Sequence, residues 1–546
     1  MSGVDLLESY TALPSSSSRS VVLQSIINAY PPQDAAQALL AVKTLGKNPS
    51  GSETLATAST LSALLGLSIS FKDDPEASSE ALRCIANTML LFEHARGTFI
   101  GKDVAGGETC VGMLDKSTTP DQVFILSRIL FLATVSGPSW IVSLVEDHNH
   151  KRRGIVDIIA NKLDAMLVAI QAGTKLGREA TADLLKFTFN LLMHYPKMVD
   201  AEPQTPQGAD GQKTIGDFWS PNLDGLLPSL LRTFYSLPPT FPSPLVSPLT
   251  HVIHALITIP ISSSLRPVWL GPSTPERRSS SSSPKTSTSS GGDSPVLSQT
   301  PPKSSTLDRA LSLSRSPSPN TAIQQDVLLR AHDLLEVSFS HYFPGSIDPD
   351  DSSVRERPKK EMLDGSVDDI ISPLIVLITR LCLADATTRG RLREWIVPPD
   401  LDRSAPLEGR SDMLGRCLRL MSSVYHPRLK DSVGEMLFAM SDSDARILSS
   451  LVGYGNVAGF LFNKGIMSAP GGDDPSSAEP TAPDGKLINP ITGNTMEKPE
   501  LPEMTEEEKE QEMEKLFVLF DRLEKSGALP PSQNPIRKAM EKAASQ

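Results

Sequence analysis

The spacing of apolar residues is the feature that most constrains how this chain can fold. From about residue 20 to 268, and again from about residue 323, apolar side chains recur with a helical period. Short polar or proline-containing breaks separate these segments. No comparable stretch alternates apolar and polar residues as a half-buried strand would. The pattern therefore predicts an all-α protein in which many helices pack in succession.

Two of the helical segments resemble each other. "EALRCIANTMLL" begins at Glu80 and "DLLKFTFNLLMH" begins at Asp183. In both, the acidic residue is followed by a Leu, then directly by a basic residue, and later by an Asn at the same spacing. The distance between them lies between two and three armadillo or HEAT periods. The match predicts repeated helices that line a concave groove with basic and Asn side chains, and a chance likeness of two amphipathic helices remains the alternative.

Composition limits the classes of function. The formal net charge is −12, which disfavours nucleic-acid binding because phosphate-binding surfaces need an excess of Lys and Arg. The 4 cysteines form no C-x-x-C pair, which predicts buried thiols in a reducing compartment. Neither a signal peptide nor an uncharged apolar span is evident, since Arg128 interrupts even "FILSRILFLATV". The sequence therefore predicts a cytoplasmic protein.

Changes in composition along the chain predict six regions. Residues 271–320 are almost entirely Ser, Thr, Pro and Gly with scattered basic residues, and such a segment cannot repay the entropy lost on ordering. The predicted regions are N-terminal armadillo/HEAT repeats (1–268), a disordered Ser/Pro-rich insertion (269–322), C-terminal armadillo/HEAT repeats (323–467), a flexible linker (468–499), a partner-binding amphipathic helix (500–527) and a tail (528–546).

The predicted terminal helix carries unusually complete start and stop signals. Thr505 and Glu508 form a capping box, and Gly527 can end the helix in the left-handed conformation. Its apolar stripe consists of Met513, Leu516, Phe517, Phe520 and Leu523. Because flexible sequence flanks the helix on both sides, insertion of the stripe into a partner's groove is one interpretation. Docking of the stripe on the repeats is the other.

A glycine pattern near the end of the repeats is typical of dinucleotide-binding turns. "SSLVGYGNVAGFLFNKGIM" places Gly453, Gly455 and Ala458 in the order G-x-G-x-x-A. Such a turn needs a buried strand before it, whereas the preceding "DSDARILSSLV" predicts a helix. The sequence contains no P-loop, nucleophile elbow or complete metal-ligand set. We therefore expect no enzyme, no cofactor and no metal.

Three elements that follow one another in order carry a family resemblance. "VGYGNVAGFLFNKGIM", "INPITG" and "EKPELPEMTEEEKEQEMEKLFVLFDRLEKSG" resemble the synembryn family of chaperones and guanine nucleotide exchange factors for heterotrimeric G protein α subunits. Upstream, "SPLIVLITRLCLADATTRGRLREWIVPP", "SRILFLATV" and "ALRCIAN" also resemble family segments. The likeness extends from about residue 80 to 527 and is to a fungal-like member. "PPTFPSPLVSPLTH" and the Ser/Pro-rich insertion depart from the family, so repeat boundaries there stay open.

The resemblance implies an armadillo/HEAT superhelix that holds the C-terminal helix of a G protein α subunit on its concave side. Its own terminal helix would reach the partner's nucleotide-binding domain, lower GDP affinity and keep the nucleotide-free state until GTP binds. The chain would act as a monomer, without catalytic residues or insertion into the membrane, and the partner would recruit it to the plasma membrane. The alternative is a generic armadillo-repeat scaffold or adaptor that binds an extended or helical peptide in its groove.

Particular residues are expected to carry these roles. The residues assigned to partner binding are Arg83, Asn87, Arg128, Phe189 and Asn190 in the groove and Leu516, Phe517 and Phe520 on the terminal helix. Gly453, Gly455 and Gly459 are expected to permit a tight turn and close helix approach at the last repeat. Tyr454 and Asn456 would fix the backbone there.

Two residues in the linker fit a regulatory site. Ser476 and Thr481 each precede an acidic residue by three positions, as acidophilic kinases prefer. A phosphate at either residue would add negative charge that basic residues such as Arg416 or Arg419 could bind.

Overall fold

A computed structural model describes residues 9, 11–28, 34–136, 138–146, 153–199, 218–271, 326–361, 366–466 and 485–496. These residues fall into two compact units. One unit contains the described residues up to 466 together with 489–494, and the other contains 485–488 and 495–496. The predicted insertion, apart from 269–271, lies outside the described residues, as do the terminal helix and the tail.

The described residues are built from α-helices, as the sequence predicts. The described residues contain no strand, and an isolated antiparallel bridge pairs Ile488 with Thr495. The helices are α1 (Ser16–Asn28), α2 (Ala35–Leu45), α3 (Ala58–Ser70), α4 (Pro75–Leu91), α5 (Glu93–Ile100), α6 (Gly106–Lys116), α7 (Pro120–Ser136), α8 (Pro138–Glu146), α9 (Ile155–Gln171), α10 (Gly177–Met198), α11 (Leu226–Ser236), α12 (Leu249–Leu256), α13 (Arg266–Leu270), α14 (Val327–Tyr342), α15 (Ser352–Glu361), α16 (Val367–Ala384), α17 (Ala386–Ile396), α18 (Met413–Ser422), α19 (Pro427–Met440), α20 (Ala445–Val452) and α21 (Tyr454–Asn463).

Short polar side chains set where several of these helices begin. The Asp74 carboxylate accepts a hydrogen bond from the Ala77 N–H at 3.1 Å, and Pro75 occupies the first helical position. The Asp412 carboxylate caps α18 in the same way, at 3.1 Å from the Gly415 nitrogen. A cap of this kind stabilises a helix by about 1 kcal/mol. The breaks between the predicted helical segments are therefore specified locally.

Six of the helices pack one against the next, in chain order, and form what we call the helix column. The column consists of α4, α7, α10, α12, α16 and α19. The α7 and α10 helices run in the same direction, because Arg128 meets Asp183 and, further along both helices, Thr134 meets Asn190. Stacking of this kind is that of an α-helical solenoid. The two similar sequence segments lie on α4 and α10, separated in the column by α7.

The interior is aliphatic and includes all four cysteines. Leu130, Leu184 and Ile378 are fully buried, and they lie on three different helices of the column. Burial raises the pKa of the Cys110 and Cys382 thiols to about 12, so these side chains pack as small apolar groups. Among the described helices, none is both long enough and apolar enough to cross a bilayer.

Helices on the two sides of the predicted insertion pack in one unit. The α11 helix contacts α14, and α12 contacts α16. The Arg330 side chain on α14 is fully buried and donates to the Leu237 carbonyl at 2.5 Å. Burial lowers the pKa of this guanidinium to about 10. A buried polar contact therefore joins residues that are far apart in the sequence.

Candidate functional site

The open side of the first three column helices presents partly exposed side chains at helical spacing, and we call it the column face. Its members are Arg83, Asn87 and Leu90 on α4, Phe124, Arg128, Phe131 and Val135 on α7, and Lys186, Phe189 and Met193 on α10. Residues three, four and seven positions apart share one side of a helix. The column face therefore combines basic side chains with aromatic and aliphatic ones.

Two carboxylates lie beneath the basic side chains of this face. Asp183 is buried, and its two oxygens accept from Lys186 Nζ at 2.9 Å and from Arg128 Nε at 2.8 Å. Lys186 lies three residues further along the same helix, whereas Arg128 comes from α7. A buried carboxylate is costly unless cations and hydrogen bonds compensate it. The two cations are therefore held in place by an anion in the fold.

Glu80 on α4 repeats the same arrangement. Its carboxylate accepts from Arg83 Nη1 at 2.8 Å and pairs with Lys43 Nζ of α2 at 2.5 Å. The similarity between the two sequence segments thus has a structural cause. In both cases an acidic residue is neutralised by a basic residue three positions later and by another from a different helix.

The two arginines of the column face differ in which of their guanidinium nitrogens donate hydrogen bonds. Arg83 donates from Nη1 to Glu80 and from Nη2 to Asp121. Arg128 donates from Nε to Asp183, and its guanidinium carbon lies 4.5 Å from the centre of the Phe124 ring. Within the described part of the chain, no residue accepts a hydrogen bond from Nη1 or Nη2 of Arg128. The Arg128 side chain is 44% exposed, compared with 24% for Arg83.

The two Asn residues predicted for the groove have different environments. The Asn190 amide donates to Thr134 Oγ1 at 2.9 Å and is almost completely buried between α7 and α10. Asn87 is partly exposed on α4. Phe189 is also partly exposed, with its ring centre 6.4 Å from that of His254. The structure thus places Asn87 and Phe189 on the column face and uses the Asn190 amide to join helices.

Sequence reasoning missed five apolar members of the column face, and three of them lie on α7. Phe124, Phe131 and Val135 flank Arg128 at four, three and seven positions along α7. The helical spacing in "FILSRILFLATV" is the signal that could have identified them. That segment is apolar on every side, so its periodicity alone does not separate the open face from the buried one.

His251 and His254 of α12 lie beside the column face and are uncharged at neutral pH. Burial, followed by the nearby Lys186 and His254, lowers the pKa of His251 to about 4. Burial also lowers the pKa of His254. The positive charge of this region at neutral pH therefore comes from Arg and Lys. Among the described residues, no group of three His, Cys, Asp or Glu side chains could hold a metal ion.

The glycine pattern lies between two helices, where a second segment of the chain covers it. The α20 helix ends at Val452 and α21 begins at Tyr454, so a helix precedes Gly453, as predicted. The N–H groups of Tyr454 and Gly455 donate to the carbonyls of Pro490 and Ile491, both at 2.8 Å. These are the first N–H groups of α21, the groups that would hold a pyrophosphate in a dinucleotide-binding turn. The chain's own carbonyls thus occupy the place of a phosphate.

Steric contact explains two of the three glycines. Gly453 has a φ of +85°, and a Cβ there would lie 2.5 Å from the Gly493 nitrogen. A Cβ on Gly455 would lie 3.0 Å from the Ile491 oxygen. Gly459 has nothing within 4 Å of its Cβ position, so the fold gives no packing reason for it. The close approach is made by residues 489–494 rather than by another helix.

Arg403 and Asn456 hold this turn from two sides. Arg403 donates to the Gly493 carbonyl at 2.7 Å and to the Leu451 carbonyl at 2.8 Å, and its side chain is buried. The Asn456 amide donates to the Val452 carbonyl at 2.7 Å. The Tyr454 contact is made through its backbone N–H.

Comparison with known proteins identifies the family of this chain. A family model described as guanine nucleotide exchange factor synembryn matches residues 38–544. The chain belongs to the synembryn family. The turn formed by "VGYGN" and "NPITG" is therefore a packed element of a synembryn-family protein.

Individual relatives of this synembryn-family chain are similar over a shorter stretch. Chaperone Ric-8A of Xenopus laevis is 30% identical over 171 residues, which are 30% of this chain and 32% of the relative. Chaperone Ric-8A of Gallus gallus is 30% identical over 188 residues, covering 31% and 34%. That of Mus musculus is 31% identical over 173 residues, covering 30% and 32%. The alignments thus span about a third of the length of these relatives.

Several predicted sites of this synembryn-family chain lie outside the described residues. They are Leu516, Phe517, Phe520, Ser476 and Thr481. Both basic residues suggested as phosphate partners are engaged within the fold. Arg416 is buried and donates to Glu336 at 2.9 Å and to the Phe343 carbonyl at 3.0 Å. Arg419 donates to the carbonyls of Gly345 and Arg410. A phosphate on the linker would have to displace these bonds.

Proposed function

We propose that this chain is a guanine nucleotide exchange factor and folding chaperone for G protein α subunits. The observation that carries the proposal is the match of the synembryn family model over residues 38–544. The chain would bind a GDP-bound or nascent α subunit and stabilise its nucleotide-free state until GTP binds. It would act beside the plasma membrane, where the partner recruits it.

The column face supports the proposal as the place where a helical segment of the α subunit binds. Leu90 is 63% exposed and Val135 is 50% exposed, so apolar surface is available next to Arg128. A helix that buries one apolar side in a groove gains affinity from such contacts, while charged residues fix its orientation. Asn87 and Phe189 would contribute to the same surface.

Exchange by this route needs no bond to be made or broken. A protein that binds the empty α subunit more tightly than the loaded one shifts the population toward the empty state by that difference in affinity. Moving a two-state equilibrium from one extreme to the other requires a difference of about 10⁴-fold. Because the linkage is reciprocal, GTP binding must expel the chain. No catalytic residue and no cofactor are needed.

The amphipathic helix predicted over residues 500–527 would supply a second contact. We propose that Leu516, Phe517 and Phe520 bind the nucleotide-binding domain of the partner. A chain that ends before Thr505 should then bind the C-terminal segment of the α subunit but accelerate GDP release much less than the full chain. Equal acceleration by the two chains would remove the helix from the proposal.

The central experiment measures GDP release from a purified α subunit with and without the full chain. The expected results are faster release, a stable nucleotide-free complex on gel filtration, and dissociation of that complex by a GTP analogue. Folding of the α subunit during cell-free synthesis, with and without the chain, tests the chaperone role. Equal affinity for loaded and empty α subunits would favour the alternative, an armadillo-repeat scaffold.

A further inference from the structure

We propose that a cavity outside the column face binds a second kind of ligand, a peptide segment in which a large apolar side chain stands next to a basic one. The cavity has a volume of about 280 Å³. Its lining residues come from α6, α8 and the segment that leads into α9, whereas the column face belongs to α4, α7 and α10. The cavity is therefore a binding site in addition to the proposed function and does not depend on it.

The inner wall of the cavity is apolar and firmly held. Val111, Trp140, Leu144 and Ile155 line the cavity and are buried. The Trp140 indole packs directly on the backbone of Gly107, where a Cβ would lie 2.3 Å from the ring. An apolar side chain that covers such a wall gains free energy by removing it from water. The inner wall therefore favours an apolar group of the ligand.

Two carboxylates stand at the edge of the cavity. Glu108 and Glu146 line the cavity, and both residues are exposed. Glu108 accepts a hydrogen bond from Trp140 Nε1 at 2.9 Å, and Glu146 accepts one from the Tyr195 hydroxyl at 3.1 Å. Both donors are uncharged, so these two hydrogen bonds orient the carboxylates without cancelling a negative charge. The edge of the cavity therefore attracts a basic group.

The contact with Tyr195 ties the Glu146 carboxylate to the interior of the fold. Tyr195 is buried on α10, and its hydroxyl accepts from the Asn222 amide at 2.8 Å while it donates to Glu146. A side chain that is restrained before the ligand arrives loses less conformational entropy on binding. Glu146 is thus already oriented for a ligand.

Arg153 contributes a charge of the opposite sign to the same lining. Its side chain is 61% exposed, and its Nε atom lies 3.8 Å from an oxygen of Asp115, which is too long for a hydrogen bond. Two carboxylates and one guanidinium leave the lining residues with a net negative charge. The Arg153 charge opposes a basic ligand, so its removal should strengthen binding.

The size of the cavity narrows the class of ligand. A volume of about 280 Å³ lies just below the range of roughly 300 to 1,000 Å³ that drug-sized ligands occupy. The cavity therefore has room for one large apolar side chain rather than for a nucleotide. A basic residue next to that side chain would reach the carboxylates at the edge. The formal net charge of −12 also favours the approach of a basic segment.

The test follows the Trp140 ring by fluorine NMR in the full chain labelled with fluorotryptophan. The chain has 4 tryptophans, and Trp140→Phe identifies the Trp140 signal. The probes are acetyl-Gly-Ser-Leu-Arg-Ser-Gly-amide, the same peptide with Phe in place of Leu, and both peptides with the apolar and basic residues exchanged. In the matched control peptides, citrulline replaces Arg or Ser replaces the apolar residue.

At least one probe should shift the Trp140 signal until it saturates, and both of its control peptides should bind more weakly. The double replacement Glu108→Gln and Glu146→Gln should weaken binding of the Arg peptide about tenfold, because glutamine can still accept from Trp140 and Tyr195 but carries no charge. The citrulline peptide should bind this variant and the wild-type chain equally.

Two further variants complete the charge test. Arg153→Gln should bind the Arg peptide about twofold more tightly or better, because a repelling charge is gone. Asp157→Asn removes an exposed carboxylate of α9 outside the lining residues and should bind like the wild-type chain.

The other three fluorine signals report whether each variant keeps its fold. If the double replacement unfolds, Glu146→Gln alone and Arg153→Gln carry the test with opposite expected signs. The assignment is overturned if no probe shifts the Trp140 signal, if Arg and citrulline peptides bind the wild-type chain equally, or if Arg153→Gln binds the Arg peptide more weakly. GDP release by the wild-type chain tests the proposed function separately, so the two can fail independently.

Discussion

Gly453 and Gly493 approach each other so closely that neither has room for a side chain. A Cβ on Gly453 would lie 2.5 Å from the Gly493 nitrogen, and a Cβ on Gly493 would lie 2.7 Å from the Val452 oxygen. Both residues have positive φ angles, of +85° and +75°. The two segments that carry the family's glycine and "NPITG" motifs thus form one packed turn.

Replacement of Gly453 by Ala should destabilise the fold by about 2 kcal/mol or more, because it adds a steric clash to an unfavourable φ. Gly459→Ala is the matched control in the following helix. It should range from neutral to a gain of about 1 kcal/mol, since Ala favours helix and the site is open. Urea denaturation of the two variants measures both effects. Equal stability of the two would contradict this account of the turn.

Replacement of Arg403 by Gln should loosen residues 489–494 from α21. The side chain bridges the carbonyls of Gly493 and Leu451, and no other described side chain donates to both. Hydrogen exchange at the Tyr454 and Gly455 amides, which donate to Pro490 and Ile491, should become faster. Amides in the middle of α4 provide the internal control. Unchanged exchange at Tyr454 and Gly455 would show that the turn does not depend on Arg403.

Replacement of Asp183 by Asn should destabilise the chain by about 2 kcal/mol or more. The change leaves Arg128 and Lys186 without the buried anion that both of them contact. Asp164→Asn, which breaks the exposed pair with Arg232, should cost less than about 1 kcal/mol. Thermal unfolding of both variants provides the comparison. A smaller loss for Asp183→Asn than for Asp164→Asn would contradict the role assigned to Asp183.

Stability should fall as the pH is lowered between about 6.5 and 4, in part through His251. Burial lowers its pKa from 6.5 to about 4, with Lys186 and His254 acting in the same direction and Asp183 opposing them. The unfolded chain therefore takes up a proton in this range that the folded chain does not, which favours unfolding. The effect amounts to at most about 3 kcal/mol.

His251→Gln tests this linkage. Its free energy of unfolding, measured in urea from pH 7 to 4, should depend less on pH than that of the wild-type chain. His94→Gln removes an exposed histidine and should leave the wild-type dependence unchanged. If the free energy of unfolding of His251→Gln depended on pH as steeply as that of the wild-type chain, other groups would account for the acid sensitivity.

The helices were predictable because their signals are local. The helical spacing of apolar residues and N-terminal caps such as Asp412 both depend on residues within a few positions of each other. The helix predicted before Gly453 is present as α20. For Gly453 the sequence predicted a tight turn and the close approach of a helix. What packs against it, residues 489–494, lies far along the chain and left no local signal.

The sequence predicted the candidate site less completely than it predicted the helices. Arg83 and Arg128 look alike in the sequence, yet both terminal nitrogens of Arg83 are bonded, whereas those of Arg128 have no acceptor among the described residues. That difference depends on Asp121 and Asp183, which reach these side chains from neighbouring helices. Asn87 and Asn190 occupy equivalent positions in the two similar segments. The Asn190 amide donates to the Thr134 hydroxyl of the neighbouring helix, whereas Asn87 is partly exposed. Such distinctions arise from tertiary contacts that no periodicity encodes.

The pairing of Asp183 with Arg128 of one helix and Lys186 of its own sets a limit on sliding between repeats. A shift of α10 along α7 by even one turn, about 5.4 Å, would strand a carboxylate in apolar surroundings. Glu80 imposes the same restriction on α2 and α4. The ion pairs therefore fix the register between neighbouring helices, so adjustments along the column fall to side-chain rotation rather than to slippage of the backbone.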